Sequence, residues 1–330
     1  MIIIRTPFRI SFFGGGTDYP DWYKKNGGVV LSTTIDKYCY ISCRPLPPFF
    51  KYKHRIVYSK SEEVNEIDQI VHPAVRETFR FMGVTKGLEI HHDGDLPARS
   101  GLGSSSSFTV SLLHALYALK GEMITKQKLA LEAIHVEQNM IRENVGSQDQ
   151  VSAAFGGLNK IAFKSDGSFD VSSVILNKEI LKSLQDHLLL FFTGFSRIAS
   201  DVAKDQLDRI SKNEKQLFAI SSMVDEAISI LSSSRDINKF GDLLHEGWKI
   251  KRSLSDKISN QHIDEIYEAA RDSGASGGKI LGAGGGGFIL IFAKPEVQPK
   301  IKERLKNLLL VPCRFENYGS QVVVYNPDGL

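Results

Sequence analysis

A stretch rich in glycine and serine, residues 97–107, separates a strand-like apolar segment from a helix-like one. It reads Pro-Ala-Arg-Ser-Gly-Leu-Gly-Ser-Ser-Ser-Ser, and the apolar run 108–119 follows it directly. Gly101 and Gly103 tolerate positive φ and let the backbone approach a ligand closely. The serines place hydroxyls beside the unpaired N–H groups of a helix start, where the helix dipole favours an anion. The pattern therefore predicts a loop wrapped around phosphate groups, in which a serine hydroxyl can face a bound metal ion.

The residues exclude two familiar kinds of phosphate-binding loop. A Walker A loop requires Gly-Lys followed by Ser or Thr, and no such triplet follows Gly103. A dinucleotide-binding fingerprint requires a third glycine, which is missing. The alternative that stays open is a flexible loop before a well-capped helix.

Composition limits the class of protein. The 330 residues are 42% hydrophobic and 24% charged, which is typical of a soluble globular enzyme and predicts about two domains, 1–180 and 181–330. A net charge of +3 is too small to predict a nucleic-acid or membrane partner, but it suits anionic small molecules. Cys39, Cys43 and Cys313 have no metal-ligand or disulfide spacing. With neither a signal-like start nor a membrane-length apolar run, a reducing, cytoplasmic location is expected.

A second glycine cluster follows the first predicted strands, 2–4 and 8–13, which are interrupted at Pro7. Three glycines after a strand indicate a tight turn or a backbone pressed against a ligand. Arg9 and Asp18 bracket this turn, and Asp18 is equally compatible with a role as a turn former or N-cap. The cluster reads Gly14-Gly15-Gly16-Thr17-Asp18-Tyr19-Pro20.

Two acidic residues flank one polar loop after the central helix. Thr125 is a plausible N-cap for a helix over residues 126–142, which carries Glu137. Asp149 enters the next short helix. Taken singly, Glu137 is more typical of a solvated helix face, and Asp149 of an acid at a helix N-terminus.

The second half of the chain is helical over residues 201–273, with breaks, and the segment 177–186 is predicted to bridge two domains. A third glycine run, 282–287, lies between Ile280 and an apolar strand, 288–292, and implies close backbone approach. Predicted strands at 313–317 and 321–325 close the second domain. The pair His245 and Trp248 shares a helix face and is more typical of packing than of a site.

The three glycine-rich segments, in this order, resemble the motifs of the GHMP kinase superfamily, which includes galactokinase, homoserine kinase, mevalonate kinase and phosphomevalonate kinase. The resemblance covers nearly the whole chain. It implies an α+β fold of two domains: an N-terminal α/β domain like domain 2 of ribosomal protein S5, and a C-terminal ferredoxin-like domain. It further implies that ATP with Mg²⁺ meets the substrate in the cleft between the domains.

The resemblance also implies a role for individual residues. Glu137 matches a helix-borne glutamate that holds Mg²⁺ together with Ser105, or with its neighbour Ser104. Asp149 matches the acid beside the substrate hydroxyl, and Arg9 matches the arginine of the first motif in galactokinases; both are expected to be catalytic. The residues expected to bind the ATP phosphates are Pro97, Ser100, Gly101, Leu102, Gly103, Ser104, Ser105, Ser106, Gly284 and Gly285. Those expected to bind the substrate are Gly14, Gly15, Gly16, Thr17, Asp18, Asp149 and Arg197.

The first motif departs from that of the galactokinases. Where they have Gly-Glu-His-Thr-Asp-Tyr, this chain has Gly-Gly-Gly-Thr-Asp-Tyr at 14–19, so two sugar-contacting groups are absent. This form, with Gly-Ser-Gln-Asp-Gln at 146–150, most resembles the branch of D-glycero-D-manno-heptose 7-phosphate kinases, which make the 1,7-bisphosphate for GDP-activated heptose and surface polysaccharides. The fucokinase domains are similar by motif.

The resemblance predicts a small-molecule sugar or sugar-phosphate partner, with neither nucleic acid nor membrane, and leaves a homodimer open. A kinase for free fucose or galactose, a mevalonate-type kinase and an inactive sugar sensor remain alternatives. A phosphate on the substrate would require a cation, for which Arg197 is the preferred candidate. Lys204 and Lys251 are weaker candidates, and both are expected to be solvated at the surface.

Overall fold

The molecule is built on two β-sheets that pack against each other through one aromatic cluster. The structure is a computed structural model, and it describes residues 1–98, 100–194, 199–233 and 236–327. The strands are β1 (Ile2–Phe13), β2 (Gly28–Pro45), β3 (His54–Val57), β4 (Ser61–Val64), β5 (Leu88–Gly94), β6 (Asn159–Phe163), β7 (Phe169–Ser173), β8 (Leu188–Phe192), β9 (Gly277–Ile280), β10 (Phe288–Phe292), β11 (Leu309–Leu310), β12 (Phe315–Glu316) and β13 (Gln321–Tyr325).

Helices pack against strands of both sheets. Short 3₁₀ turns lie at Ile67–Gln69 and Ile210–Lys212, and a π-helix spans Val136–Ile141. Within the described ranges, no helix combines the length and the apolar character needed to cross a bilayer. The α-helices are α1 (Pro20–Asn26), α2 (Pro73–Phe81), α3 (Ser104–Leu119), α4 (Lys126–His135), α5 (Gln148–Phe155), α6 (Lys178–Asp186), α7 (Ala199–Asp208), α8 (Glu214–Ser233), α9 (Asn238–Ser253), α10 (Gln261–Asp272) and α11 (Gln298–Arg304).

The first sheet is mixed and is organised by the long antiparallel pair β1–β2. Its main order is β13-β1-β2-β5-β3-β4, in which β3 and β5 run parallel. The break predicted at Pro7 is absent: β1 continues through it, with a register shift between Pro7 and Phe8. The opposite strand carries the matching irregularity at 36–37 and continues through it as one strand, β2. A proline lacks the N–H that a regular ladder requires, and a local irregularity accommodates it.

The second sheet has the strand order β11-β8-β10-β9, formed by the succession β8, helices, β9, β10, α11 and β11. This βαββαβ succession is ferredoxin-like and confirms the expected α+β architecture. The predicted strand 288–292 is β10, and the segment expected to bridge the domains is helix α6. Trp248 is buried on α9, which confirms its packing role.

The closing strands of the chain do not belong to the second sheet. β13 pairs with β1 and β12 pairs with β2, so residues 315–325 return to the first sheet. The prediction that they close the second domain is wrong. A short apolar strand is equally suited to the edge of either sheet, and only the tertiary path decides which edge is free. The boundary near residue 180 stays a prediction.

The two sheets meet at the end of β1. Phe240 of α9 contacts Phe12 and Phe13 edge-on, with ring centroids 5.4 and 5.3 Å apart, and also packs against Phe292. These rings are almost completely buried. Edge-to-face aromatic pairs add to the free energy of burial and fix relative orientation. The cluster therefore holds the end of β1, where the first glycine motif begins, against the second sheet.

Candidate active site

A cleft with a volume of about 230 Å³ opens where the three glycine-rich motifs converge. Its walls come from the end of β1, the start of α3, the start of α5, and the β9 end of the second sheet. The structure thus brings together segments that are far apart in the sequence. The predicted site residues that line the cleft are Arg9, Gly15, Gly16, Asp18, Gly101, Gly103, Ser104, Ser105, Ser106 and Asp149.

Arg9 and Asp149 form a two-pronged ion pair at the centre of the cleft. The Arg9 Nε and Nη2 atoms donate to the two carboxylate oxygens of Asp149 at 2.6 and 2.7 Å, and Nη1 donates to the Gly101 carbonyl at 2.6 Å. The Arg9 side chain is 5% exposed, whereas that of Asp149 is 24% exposed. A planar guanidinium fixes a carboxylate in one orientation. Asp149 is therefore held rigidly but still faces the open cleft, in the first turn of α5.

The glycine–serine loop ends at the N-terminus of α3. Gly101 and Gly103 adopt φ of +84° and +76°, and Gly103 is the N-cap of α3. Ser104 and Ser105 follow in the cleft wall. The first N–H groups of α3 therefore face the cleft beside serine hydroxyls, which is the geometry that favours an anion.

Glu137 is buried one layer below this loop, in the π-helix that follows α4. Its Oε2 accepts hydrogen bonds from Ser106 Oγ at 2.9 Å and from Gln150 Nε2 at 2.5 Å. Its Oε1 is buried without a hydrogen-bond partner. Burial raises the pKa of Glu137 to about 7, with the negative charge of Glu143 acting in the same direction. The interpretation of Glu137 as a solvated helix face is wrong.

These donors fit a divalent cation. Carboxylate and hydroxyl oxygens are the ligands that Mg²⁺ prefers, and a cation would supply the missing partner of Glu137 Oε1 and remove the penalty of its buried charge. Glu137 lies in the first turn of the π-helix, and such insertions into α-helices are frequent at functional sites. The hydroxyl that contacts Glu137 belongs to Ser106, however, and not to Ser105, which is exposed in the cleft.

The first glycine motif is tied to the start of α5 through Asp18. Its Oδ1 accepts from the Gly16 N–H at 3.0 Å and its Oδ2 from the Gln148 N–H at 3.3 Å. Burial raises the pKa of Asp18, and the Asp149 charge adds to this rise. A Cβ on Gly146 would lie 1.9 Å from Asp18 Oδ2, so that position requires glycine. Asp18 therefore both forms the turn and lines the cleft.

Two members of the first motif serve the fold instead of the cleft. The Thr17 hydroxyl is buried between Gly14 O and Val29 and accepts from the Val29 N–H at 3.0 Å. A Cβ on Gly14 would lie 1.9 Å from Val29 O. Neither residue lines the cleft, which corrects the expectation that Gly14 and Thr17 contact the substrate.

The third glycine run mainly approaches protein backbone. The Gly285 N–H donates to Ile258 O at 2.9 Å, so that amide is already paired within the protein. A Cβ on Gly284 would lie 2.7 Å from Ile258 O, which gives this glycine a packing role. The residues of the run that line the cleft are Gly282 and Ala283. The backbone of this run is thus in close contact, as the sequence implies, but the contact is with another segment of the protein.

The remaining phosphate-loop residues support the loop from behind. Leu102 is buried and accepts the Arg9 N–H through its carbonyl, and Ser100 O accepts the Phe288 N–H. Pro97 is exposed outside the cleft. The expected contact of Pro97, Ser100 and Leu102 with the ATP phosphates stays a prediction. Arg197 lies outside the described residues.

Replacing Gly101 by alanine is expected to destabilise the fold by more than the usual penalty for positive φ. A Cβ there would lie 2.5 Å from Leu281 O, where the third motif packs on the phosphate loop. We expect Gly101→Ala to lower the free energy of unfolding by roughly 2–4 kcal/mol in urea titrations. Gly121→Ala is the matched control, because Gly121 has φ of +73° with nothing within 4 Å. If both variants lost the same free energy of unfolding, the close contact with Leu281 O would make no contribution.

Other residues that line the cleft were not among the expected site residues, and Lys251 was only a weaker candidate. Ser11 Oγ and Gln148 Oε1 are buried without hydrogen-bond partners and border the cleft beside Gly15. Lys279 and Lys251 also line it, the latter half-buried, which corrects the expectation that Lys251 is solvated at the surface. Lys204 is exposed, as expected. The position of Lys279 beside the third motif is the sequence feature that could have indicated its place in the cleft. No sequence pattern indicated that Ser11 or Gln148 would lack hydrogen-bond partners.

Comparisons with known proteins agree with this geometry. The family model of the GHMP kinase N-terminal domain matches residues 69–157, and that of the GHMP kinase C-terminal domain matches residues 228–309. The chain is 27% identical to the D-glycero-alpha-D-manno-heptose 7-phosphate kinase of Campylobacter jejuni, over 88% of this chain and 89% of that protein. It is 24% identical to the galactokinase of Pyrococcus furiosus, over 100% and 99% of the two chains.

Solved structures share the fold over the full length. A D-glycero-D-manno-heptose 1-phosphate kinase from Bacteroides thetaiotaomicron superposes with a TM-score of 0.80 at 22% identity, covering 99% of this chain and 100% of that one. Phosphomevalonate kinase from Streptococcus pneumoniae, in complex with phosphomevalonate and AMPPNP, superposes with a TM-score of 0.76 at 18% identity, covering 96% and 100%. Because both halves of the sequence match the family models and the whole chain has the family's two-domain fold, this protein belongs to the GHMP kinases, phosphotransferases that act on an alcohol group.

Proposed function

We propose that the protein is an ATP-dependent sugar kinase that phosphorylates the anomeric hydroxyl of a sugar phosphate. D-glycero-D-manno-heptose 7-phosphate, converted to its 1,7-bisphosphate, is the substrate that we favour. The observation that carries the proposal is the Arg9–Asp149 pair, which holds a carboxylate rigidly at the open centre of a cleft beside a helix N-terminus.

Phosphoryl transfer requires mainly positioning and neutralisation of charge. Asp149 accepts a hydrogen bond from the acceptor hydroxyl and aims its oxygen at the terminal phosphate of ATP, and Arg9 keeps the carboxylate in that orientation. The hydroxyl oxygen forms a bond to the phosphorus as the bond to ADP breaks, and the proton passes to Asp149 or to the product. An anomeric hydroxyl is more acidic than an ordinary alcohol, so a strong base is unnecessary.

The start of α3 stabilises the negative charge that develops on the transferred group. Its free N–H groups and the hydroxyls of Ser104 and Ser105 face the cleft there. Glu137 and Ser106 would hold Mg²⁺, which supplies charge neutralisation to the phosphates of ATP when it is bound. This assignment replaces Ser105 with Ser106 as the hydroxyl paired with Glu137, because the two side chains are already in contact.

The acceptor side of the cleft suits a polyhydroxylated molecule. Ser11 Oγ and Gln148 Oε1 are unpaired there, and Asp18 adds a third polar group. A buried polar atom without a partner is unfavourable until a ligand satisfies it. Sugar hydroxyls provide such partners, whereas the apolar part of a mevalonate-type substrate does not. This is the reason for preferring a sugar over an isoprenoid precursor.

The choice among sugars depends on the relatives and on the first motif. The named relatives include a heptose 7-phosphate kinase and galactokinases. The two glycines at 15 and 16 stand where galactokinases have Glu and His, which leaves more room beside Asp18. The extra space favours a larger sugar than galactose. An inactive sugar sensor is disfavoured because both Glu137 and Asp149 are present in the cleft region.

An ADP-release assay with a panel of acceptors tests the proposal. The panel contains heptose 7-phosphate, free heptose, fucose, galactose and mevalonate, each with ATP and Mg²⁺. We expect the highest kcat/KM with heptose 7-phosphate and no turnover with mevalonate. A preference for mevalonate would refute the assignment of a sugar as the substrate. If none of the five acceptors were phosphorylated, the proposal that the protein is a kinase for these acceptors would be refuted.

A further inference from the structure

Lys251 and Lys279 both line the cleft, and neither side chain has a carboxylate partner among the described residues. Lys279 Nζ donates to Phe12 O at 2.8 Å, and Lys251 Nζ donates to Ile280 O at 3.0 Å and Gly282 O at 2.6 Å. Within the described part of the chain, neither ammonium has an acidic group at ion-pair distance. A protonated lysine has three N–H donors, so in that form two remain on Lys279 and one remains on Lys251.

Two acidic groups that line the same cleft, Asp149 and Asp18, already have other partners. Asp149 is bound by both prongs of Arg9, and both Asp18 oxygens accept backbone N–H groups. Burial lowers the pKa of Lys251 well below its usual value. The positive charges of Lys279 and Arg9 lower it further, whereas the negative charge of Asp18 opposes this effect. Burial lowers the pKa of Lys279 to about 7, and the positive charge of Arg9 contributes to this shift. An anion in the cleft would relieve both penalties.

We propose that Lys251 and Lys279 bind an anionic substituent of the acceptor, a phosphate in the sugar phosphate that we favour as substrate. The inference rests on the proposed function. It restricts the substrates to acceptors that carry an anionic group. Both lysines come from the second domain, whereas Asp149 comes from the first. In the proposed complex the reacting hydroxyl of the acceptor lies at Asp149 and its anion lies at the lysines. The pair therefore selects phosphorylated over neutral sugars.

A structural clamp is the competing role for each lysine. Lys279 joins the second sheet to the end of β1, and Lys251 fastens the loop after β9. A clamp needs only the backbone contacts that already exist, so its loss should weaken all ligands equally. An anion site predicts a loss confined to acceptors that carry the charge. The two roles therefore differ in a measurable way.

The test compares Lys251→Met and Lys279→Met with wild type, using heptose 7-phosphate and free heptose as acceptors. We expect each variant to raise KM for the phosphorylated sugar roughly tenfold to a hundredfold, the usual effect of losing a charge-assisted contact. KM for free heptose and for ATP should change by less than about threefold. Lys204→Met is the control, since Lys204 is an exposed lysine on the neighbouring helix α7.

Three outcomes would overturn the inference. Equal losses for both sugars would assign the lysines to a clamp, and a selective rise in KM for ATP would assign them to the nucleotide phosphates. A wild-type enzyme that turns over free heptose as well as the phosphorylated sugar would remove the need for an anion site while leaving the kinase proposal intact.

A binding measurement keeps the inference testable if a variant fails to fold. Calorimetric titration of the wild-type protein with heptose 7-phosphate and with free heptose, in the absence of ATP, should show at least tenfold tighter binding of the phosphorylated sugar. Equal affinities would contradict the proposed anion contact. If neither sugar binds or reacts, the proposed function itself has failed, and that result is distinct from a failure of the lysine site.

Discussion

Replacement of Asp149 by Asn is expected to lower kcat by roughly 10²- to 10⁴-fold, the range typical of losing a positioned acid–base group. The amide keeps the size of the side chain, but it carries no negative charge and cannot accept from both prongs of Arg9. The affinity for ATP should stay within about threefold of wild type, because the phosphate-binding N–H groups belong to the start of α3. Steady-state ADP release and nucleotide titration measure the two quantities.

The matched control is Asp170→Asn, which removes an exposed aspartate that pairs with Lys164 on the far hairpin. Exposed ion pairs contribute little to stability, so this variant should be indistinguishable from wild type in both assays. Near-wild-type turnover of Asp149→Asn would remove Asp149 from the reaction. A loss of ATP binding in that variant would instead indicate that the ion pair with Arg9 holds the phosphate loop in place.

Replacement of Glu137 by Gln is expected to abolish most activity and yet stabilise the metal-free protein at high pH. The folded-state pKa of Glu137 lies near 7, above the ordinary value of 4.5. Its contribution to stability is thus fully present below pH 4.5 and is lost as the pH rises through 7. At pH 8 the variant avoids a buried carboxylate charge, which corresponds to a gain of at most about 3 kcal/mol. At pH 4 the two proteins should be equally stable.

Thermal unfolding with and without Mg²⁺ measures both consequences. Wild type should gain stability on addition of Mg²⁺ above pH 7, and the variant should not, because a ligand stabilises only the state that binds it. Glu226→Gln, at an exposed position on α8, is the control for loss of a glutamate. An equal Mg²⁺ response in wild type and Glu137→Gln would exclude Glu137 as a ligand. A variant less stable than wild type at pH 8 would show that the carboxylate is compensated in the metal-free protein.

The periodicity of the sequence was a good guide to the elements and a poor guide to their partners. Thr125 accepts from the Lys128 N–H as the predicted N-cap, and α4 begins at the expected residue. The same helix continues as a π-helix, a change in hydrogen-bond register that leaves no signature in the apolar pattern. Glu137 is buried because of tertiary packing around this segment. The local sequence pattern carries no information about that packing, and it therefore predicted a solvent-exposed side chain.

Within the glycine–serine loop, residue type did not separate neighbouring serines. Ser107 Oγ donates to Pro7 O at 3.0 Å, and Ser106 Oγ donates to Glu137, whereas Ser104 and Ser105 face the cleft. Four identical side chains therefore have three different surroundings. The direction of each one depends on its angular position around α3, and a shift of a single residue changes the assignment of the metal ligand.

The sequence by itself determined where glycine is needed for positive φ, where hydroxyls meet a helix start, and where an acid enters a first helical turn, because these features depend on local chemistry. The two-domain kinase class and the candidate role of Asp149 came from the resemblance of the three glycine-rich motifs to a known family. Only the tertiary structure decided that the chain returns to the first sheet and that Lys251 and Lys279 face the cleft. Those properties depend on which surfaces meet after folding, and a contact between residues hundreds of positions apart leaves no local pattern in the chain.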